Sequence, residues 1–303
     1  MNLILMCKNT PVYNITTDTI LNPNLVPGSI KQQTQTYQAW ESSRYSKQSN
    51  TYARRLLLRS TGSELHQQSI KLTRALSLSD TYWLKYDHET IDFNDITPYR
   101  TTQYQESIGF KGGNLATIFT NGAAGKEWLN ATTLKKYTGR KEYLAFQVAS
   151  ALGIETSQVT LDEADNLLVT NFTTEQTYLE TAEQMGIVKA HENPSDVFLA
   201  LYGLPFAKII ILDYLVEHDD RHWGNYGVLK NTDTGEIVKM APLYDLDWAW
   251  SDYSIPLSQG LLAYRVELGQ WLAAFQVNTL PIPVDYQQIV AKRLQEVLAF
   301  LAC

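Results

Sequence analysis

The sequence predicts an α+β protein with a β-rich first part and a mainly helical second part. Up to about residue 172, short apolar runs alternate with Gly, Pro and Asn, a pattern typical of strands and turns. From residue 173 onward the apolar residues recur at helical spacing, as in SDVFLALYG and PFAKIIILDYLVEH. With 303 residues the chain is long enough to build two lobes around a sizeable core.

Composition and charge exclude several classes of protein. Hydrophobic residues make up 44% of the chain and charged residues 19%, which indicates a globular protein rather than a disordered one. The net charge of −7 argues against nonspecific nucleic-acid binding by the whole molecule. No apolar run is long enough to cross a membrane, and the start lacks the basic residues of a signal peptide. The two cysteines, Cys7 and Cys303, form neither a disulfide framework nor a metal-binding spacing, so we expect a cytoplasmic protein.

The chain in order suggests three parts. Residues 1–74 begin with a strand in MNLILMCKNT and are predicted to form a segment that packs on the core, with a short helix at ARRLLLR. Residues 31–79 carry eight Lys and Arg against two Glu, a basic segment that fits a solvated helix face or a surface for an acidic partner or RNA. We assign 75–172 to a β-rich N-lobe, with a strand at Tyr82–Tyr86 and a loop over 87–113, and 173–303 to a helical C-lobe that ends in an amphipathic helix.

A turn of small residues lies in the middle of the N-lobe. NLATIFT reads as a strand, TNGAAGK as a Gly/Ala turn and EWLNATTLKK as a second strand. Backbone amides in such a turn can approach phosphates, because bulky side chains are absent. A Walker loop is excluded, because its lysine must be followed by Ser or Thr and then by a helix. An ordinary hairpin turn between two strands has the same pattern of small residues and is the alternative. The candidate phosphate-binding residues are Thr120, Asn121, Gly122, Ala123, Ala124, Gly125 and Lys126.

The helix predicted after the second strand carries a carboxylate that requires a positively charged partner. In RKEYLAFQVASALG, Glu142 shares the apolar side with Phe146, and a half-buried glutamate needs a positive partner. Strand alternation turns only one of Lys135 and Lys136 inward. We choose Lys135, because it follows the apolar Leu134 as the phosphate-binding lysine of protein kinases follows an apolar residue. An ordinary surface salt bridge is the alternative for this pair.

The densest polar cluster is Leu212–Tyr226, LDYLVEHDDRHWGNY, directly after an apolar helix. Pro205 suits the first turn of that helix, and we expect the helix to stop near His218 because the period is lost beyond it. Burying so many charges unpaired would cost several kcal/mol, so the cluster must face a site or water. It is therefore predicted to lie on a loop, where catalytic groups usually sit.

The spacing of two residues in this loop is typical of a known catalytic motif. Asp220 and Asn225 are five apart, as the aspartate and asparagine of a protein-kinase catalytic loop are. A β-hairpin, YGVLK and EIVKM around NTDTG, then leads to Asp245 in MAPLYDLDW. We predict that Asp220 orients a hydroxyl while Asn225 and Asp245 hold Mg²⁺ on a nucleotide. Asp219 is the main rival to Asp220, but it lacks the spacing.

Two other classes compete with this interpretation. An HD-type metal phosphohydrolase could use His218 and Asp219 as its dyad, together with His191 and Asp245. That class places its dyad inside a helix and needs neither the small-residue turn nor a strand lysine. A pseudokinase that binds nucleotide as an interaction module is the stronger competitor of the two, but every member of the predicted kinase set is present, whereas decay would have removed one.

The motifs SLSDTYWLK, TNGAAGKEW, HDDRHWGNYG and APLYD resemble those of HipA-like serine/threonine kinases, especially compact single-chain members. The resemblance extends from about Ala75 to Trp250. It implies a two-lobed, protein-kinase-like fold that uses ATP and Mg²⁺ to phosphorylate a Ser or Thr of a protein substrate. By the same motifs Asp220 corresponds to the catalytic aspartate, and Asn225 and Asp245 correspond to the metal ligands.

The resemblance also raises the question of partners. Members of the family often act as toxins beside an antitoxin, so an antitoxin or another regulatory partner is expected. The lack of a long apolar run predicts no membrane partner, and the net charge argues against nucleic acid as a partner. The Gly-rich loop of the family often carries a serine that is autophosphorylated. Here the nearest hydroxyl is that of Thr120, which departs from the pattern and leaves such regulation open.

Overall fold

The computed structural model describes residues 1–44, 53, 55, 56, 58, 59, 73–100, 102–120, 125–187, 194–252 and 256–303. The chain forms two compact units that alternate along the sequence: unit 1 comprises Met1–Tyr137, Leu168–Ile187 and Gly227–Ala241, and unit 2 comprises Thr138–Leu167, Val188–Tyr226 and Pro242–Cys303. The three continuous domains 1–74, 75–172 and 173–303 stay a prediction.

Most strands lie in unit 1 and the long helices lie in unit 2, so the predicted α+β class is confirmed. The strands are β1 (Leu3–Cys7), β2 (Thr10–Asn14), β3 (Thr19–Ile20), β4 (Tyr82–Tyr86), β5 (Lys126–Asn130), β6 (Thr133–Lys136), β7 (Val159–Leu161), β8 (Leu167–Thr170), β9 (Thr177–Thr181), β10 (Gly227–Asn231) and β11 (Ile237–Met240). The α-helices are α1 (Gly28–Lys31), α2 (Tyr37–Arg44), α3 (Phe93–Ile96), α4 (Gln103–Ser107), α5 (Arg140–Ala151), α6 (Ala182–Met185), α7 (Pro194–Tyr202), α8 (Leu204–Leu215), α9 (Arg265–Ala273) and α10 (Val284–Leu301).

The first sheet of unit 1 has the strand order β3-β2-β1-β4 and is antiparallel throughout. β1 pairs with both β2 and β4, and Leu5 lies opposite Leu84 on one side and Tyr13 on the other. Leu5, Val12 and Trp83 are fully buried in the core beneath this sheet. The predicted strands at the chain start and at Tyr82–Tyr86 are confirmed.

Helices occur in unit 1 where the sequence predicted only loop. α3 and α4 lie within residues 87–113, and α3 begins with a capping box in which the Asp92 side chain accepts the Asn94 N–H at 2.8 Å. The prediction of a continuous loop was therefore wrong. The predicted helix at ARRLLLR lies partly outside the described residues.

Two cations of the basic segment 31–79 have structural roles. Arg44 binds Asp80 through two nitrogens, at 3.0 and 2.6 Å, and both side chains are buried. Burial raises the pKa of the Asp80 carboxyl, and Arg44 opposes that rise. Arg74 holds Glu89 in the same bidentate way, at 2.8 and 2.7 Å. These two residues are not part of a solvated helix face.

The second sheet of unit 1 has the order β11-β10-β9 and confirms the hairpin predicted from YGVLK and EIVKM. The prediction of helix from residue 173 onward was wrong at TYLETAEQMG, because the first half of this segment is β9. Tyr178 and Glu180 of β9 are buried while their neighbours are partly exposed, which is strand alternation. α6 follows from a capping box formed by Thr181 and Gln184.

The region around the small-residue turn also differs from the prediction. NLATIFT forms a 3₁₀ helix, Leu115–Phe119, whose start is capped by the Asn114 side chain on the Ala116 N–H at 2.9 Å. All of its residues are buried, so the sequence shows no period that separates helix from strand. EWLNATTLKK forms the two strands of a hairpin, β5 and β6, instead of one strand. The small-residue segment therefore precedes the β5–β6 hairpin and does not join two strands.

Unit 2 is built on α8, which is buried on almost every side. Pro205 lies in its first turn, as predicted. Phe198 of α7 packs edge-on against Phe206 of α8, with ring centroids 4.9 Å apart. α5 ends before Gly153, which has a φ of +67° and caps the helix. The amphipathic C-terminal helix is confirmed as α10, and none of the helices in the described ranges is both long and apolar enough to cross a membrane.

Candidate active site

The loop with the densest polar cluster begins where α8 ends. The helix closes in a Schellman motif, in which the His218 N–H donates to the Asp213 carbonyl at 2.8 Å and Glu217 adopts a left-handed φ of +50°. Arg293 of α10 holds the Glu217 carboxylate at 2.7 Å, which favours this strained conformation. The helix ends at Leu215 and its capping turn ends at His218, so the predicted stop is confirmed.

Arg221 connects the parts of this loop. Its guanidinium binds both carboxylate oxygens of Asp213, at 2.9 and 2.7 Å, and both side chains are buried. Its Nη1 donates to the carbonyl of Asn225 at 2.8 Å and to the carbonyl of Tyr244 at 3.2 Å. Burial lowers the pKa of Arg221, but the charges of Asp213 and Asp245 outweigh it and leave the pKa above its usual value.

A second tether joins the same segments. The Tyr244 hydroxyl donates to the Gly224 carbonyl at 2.9 Å, so the residue before Asp245 is bonded to the residue before Asn225. The Asn225 side chain closes the loop, because its Nδ2 donates to the Asp220 carbonyl at 2.6 Å. The structure therefore gathers the three predicted residues, Asp220, Asn225 and Asp245, into one part of unit 2.

The carboxylates of the loop differ in their surroundings. The Asp220 side chain is 41% exposed, and its Oδ2 lies 3.8 Å from Nε2 of His222. Asp219 is exposed and points to solvent, whereas Asn225 is buried. Asp245 is partly buried and has a φ of +60°. Left-handed backbone at a non-glycine residue costs about 1–3 kcal/mol and is typical of functional sites.

Glu142 of α5 holds the residue that follows Asp245. Its carboxylate is buried, and Oε1 accepts the Leu246 N–H at 3.2 Å while Oε2 accepts the Thr138 hydroxyl at 2.6 Å. The sequence predicted that Glu142 would be buried, and this is confirmed. It did not predict the bond to Leu246, since a backbone N–H leaves no signal in the sequence. The pairing of Glu142 with a lysine stays a prediction.

The inward lysine of β6 is Lys136 and not Lys135. Lys136 is buried, and Lys126 of β5, directly opposite in register, is buried too, whereas Lys135 is partly exposed. The reason is alternation: Leu134 packs against Trp128, so the residue two positions further along shares its face. Choosing Lys135 because it follows an apolar residue placed the register wrong by one.

The residues before β5 are only partly within the described chain. Asn121, Gly122, Ala123 and Ala124 lie outside it, so their predicted contact with phosphates stays a prediction. Thr120 is buried; its hydroxyl donates to the Ala116 carbonyl at 3.0 Å and accepts the indole N–H of Trp128 at 2.8 Å. The hydroxyl is thus engaged inside the fold in this conformation. The Gly125 carbonyl accepts the Tyr137 N–H at 2.9 Å and extends the hairpin.

The dyad of an HD-type hydrolase is not formed. His218 is fully buried, with Nδ1 at 3.5 Å from Asp213 Oδ1, whereas the neighbouring Asp219 is exposed. His191 lies outside the described residues. Within the described ranges, no group of three or more His, Cys, Asp and Glu is arranged to hold a metal ion.

No protein-family model matches the sequence, and no significant relative is found among curated proteins. Among solved structures, the chain is similar to the proinflammatory kinase CtkA of Helicobacter pylori, at 16% identity and a TM-score of 0.41 over 56% of this chain and 88% of that one. It is also similar to the Shewanella oneidensis MR-1 toxin–antitoxin system HipA, in complex with HipB and operator DNA, at 12% identity and a TM-score of 0.44 over 99% of this chain and 96% of that one. At these values the similarity is one of chain trace, and it transfers no residue role, substrate or partner.

Proposed function

We propose that this chain is a serine/threonine protein kinase of the HipA-like type that depends on ATP and Mg²⁺. The observation that carries the proposal is the set of bonds around Arg221, which holds the backbone of Asn225 and of Tyr244 with one nitrogen atom. This brings Asp220, Asn225 and Asp245 together, the residue types and loop spacing that phosphoryl transfer requires.

Asn225 and Asp245 fit a magnesium ion. Because Nδ2 of Asn225 is engaged by the Asp220 carbonyl, Oδ1 is the end of the amide that can serve as a ligand. A carboxylate and an amide oxygen suit Mg²⁺, which keeps water and phosphate oxygens in its other positions. When bound, the ion would neutralise charge that develops on the transferred phosphoryl group.

Asp220 is assigned to the hydroxyl of the substrate. Its partly exposed carboxylate can accept a hydrogen bond from a Ser or Thr side chain, while its backbone is fixed by Asn225. As the hydroxyl oxygen bonds to the γ-phosphorus, the bond from that phosphorus to the β–γ bridging oxygen breaks. ADP leaves, and the hydroxyl proton passes to Asp220 and then to solvent. This positioning is the usual role of the aspartate in a kinase catalytic loop.

Lys136 and Lys126 are assigned to the phosphates of ATP. They lie opposite each other on the same antiparallel pair, and two cations on one face attract a polyanion. Lys136 thereby takes the role that the sequence gave to Lys135. A protein substrate and an antitoxin or other regulatory partner remain part of the proposal on the basis of the motif resemblance. A cytoplasmic location remains part of it on the basis of cysteine usage.

The test is transfer of phosphate from γ-labelled ATP to protein. The purified chain should label itself or a Ser/Thr-containing protein only with Mg²⁺, and both EDTA and Asp220→Asn should abolish the label. Isothermal titration should show that ATP binds far more weakly without a divalent ion. Equal ATP affinity with and without EDTA would refute the metal assignment. Release of phosphate from phosphoesters without ATP would indicate a hydrolase instead.

A further inference from the structure

One tryptophan of unit 2 is exposed close to the proposed catalytic residues. The chain has seven tryptophans, all of them described, and Trp248 alone is exposed, at 56% of its surface. Trp248 follows Asp245 by three residues, and three residues span at most about 10–11 Å. An extended peptide of a few residues is therefore long enough to reach from Asp245 to the exposed Trp248.

Trp248 lies at the tip of a tightly held turn. The Ala249 N–H donates to the Leu246 carbonyl at 3.1 Å, which closes the turn and leaves Asp247 and Trp248 at its tip. On one side of the tip the Leu246 N–H is bonded to Glu142 at 3.2 Å. On the other side the Trp250 N–H donates to the Val216 carbonyl at 2.7 Å, and its indole N–H donates to the Lys141 carbonyl at 3.0 Å.

Residues on both sides of this turn have a strained backbone conformation. Asp245, Trp250 and Asp252 have φ values of +60°, +64° and +61°. Such conformations persist only where the surroundings impose them, and they are concentrated in active sites and ligand clamps. A rigid tryptophan loses little conformational freedom on binding, which makes it an efficient anchor for a partner.

We infer that Trp248 is the docking residue for the peptide segment of the protein substrate, and this inference rests on the proposed kinase function. The occupant is an extended segment with an apolar side chain a few residues from the phosphorylated Ser or Thr. The exposed carboxylate of Asp252, four residues beyond Trp248, adds a negative charge to this surface, so the segment also carries Lys or Arg.

The test uses a library of synthetic peptides with a central serine. At each of the four positions on either side, separate pools fix Leu, Lys, Ala or Glu. Wild type should phosphorylate the Leu and Lys pools best. Trp248→Ala should lower kcat/KM for the Leu pools about 10- to 100-fold, chiefly through KM, while Trp248→Phe should retain most of the preference. Val266→Ala is the matched control, because Val266 is an exposed apolar residue of the same unit, on α9. ATP hydrolysis without peptide should be equal in all four proteins.

Each outcome decides the matter. If Trp248→Ala keeps the wild-type preference, or if wild type shows no preference for Leu near the serine, the docking role is refuted and the kinase proposal stands. If wild type phosphorylates no pool and binds no Mg²⁺-ATP, both are refuted. A loss of ATP hydrolysis in Trp248→Ala would show that the residue acts on the catalytic residues, which also contradicts docking.

Discussion

Replacing Arg221 with alanine should destabilise unit 2 more than the loss of any surface ion pair. The change leaves the Asp213 carboxylate buried without its guanidinium, and breaking one partner of a buried pair costs about 3–5 kcal/mol. The carbonyls of Asn225 and Tyr244 also lose their shared donor. Both losses come from the same side chain and their costs overlap. We therefore expect Arg221→Ala to lower the free energy of unfolding by about 3–5 kcal/mol in total.

The assay is urea unfolding at neutral pH, followed by circular dichroism, with the midpoint compared between variants at constant slope. Arg100→Ala is the control, since the Arg100 side chain is 58% exposed in its pair with Glu175 and such pairs contribute about 0–1 kcal/mol. The double variant Arg221→Ala with Asp213→Asn should recover part of the loss, because it removes the uncompensated charge. A loss no larger than that of Arg100→Ala, or additive effects in the double variant, would refute this account of the site.

The remaining predictions concern activity and pH. Asp220→Asn should lower phosphoryl transfer about 10²–10⁴-fold with Mg²⁺-ATP binding retained, whereas Asp219→Asn should be mild; the reverse order in a labelled-ATP assay would contradict the loop assignment. Lys136→Ala should raise the KM for ATP, and Lys135→Ala should change it little; similar losses in both would contradict the inward register. A hydrogen bond from arginine lowers the pKa of Glu89 from 4.5 to about 2, so its stabilising contribution is complete above pH 4.5 and is lost as the pH falls towards 2. Glu89→Gln should therefore flatten the acid-unfolding curve in that window, and an unchanged curve would contradict the pairing.

The position of the proposed catalytic loop could be predicted from the sequence because its signal is local. Asp220 and Asn225 are five residues apart on one loop, and no long-range contact is needed to bring their backbones together. The end of α8 could be predicted for the same reason, since Pro205 and the loss of the apolar period mark its limits. A single sequence therefore shows those features of the candidate site that depend on residues close together in the chain.

Two of the wrong predictions concern features that depend on packing against other parts of the fold. Leu115–Phe119 is wholly buried, so its apolar run has no period, and the cap from Asn114 decides its 3₁₀ geometry. The register of β6 failed for a related reason: which lysine faces inward depends on Leu134 packing against Trp128 across the hairpin. A pattern that depends on the partner strand cannot be read from one strand alone.

The sequence does not show the contacts that hold the loop and Asp245 in place. Arg221 and Glu142 act on backbone groups, the carbonyls of Asn225 and Tyr244 and the N–H of Leu246, and every residue type offers those groups. Left-handed backbone at Asp245 adds an unfavourable free energy that the folded state must offset. Because the same bonds offset this strain and fix the proposed metal ligands, loosening them should lower stability and Mg²⁺ affinity together.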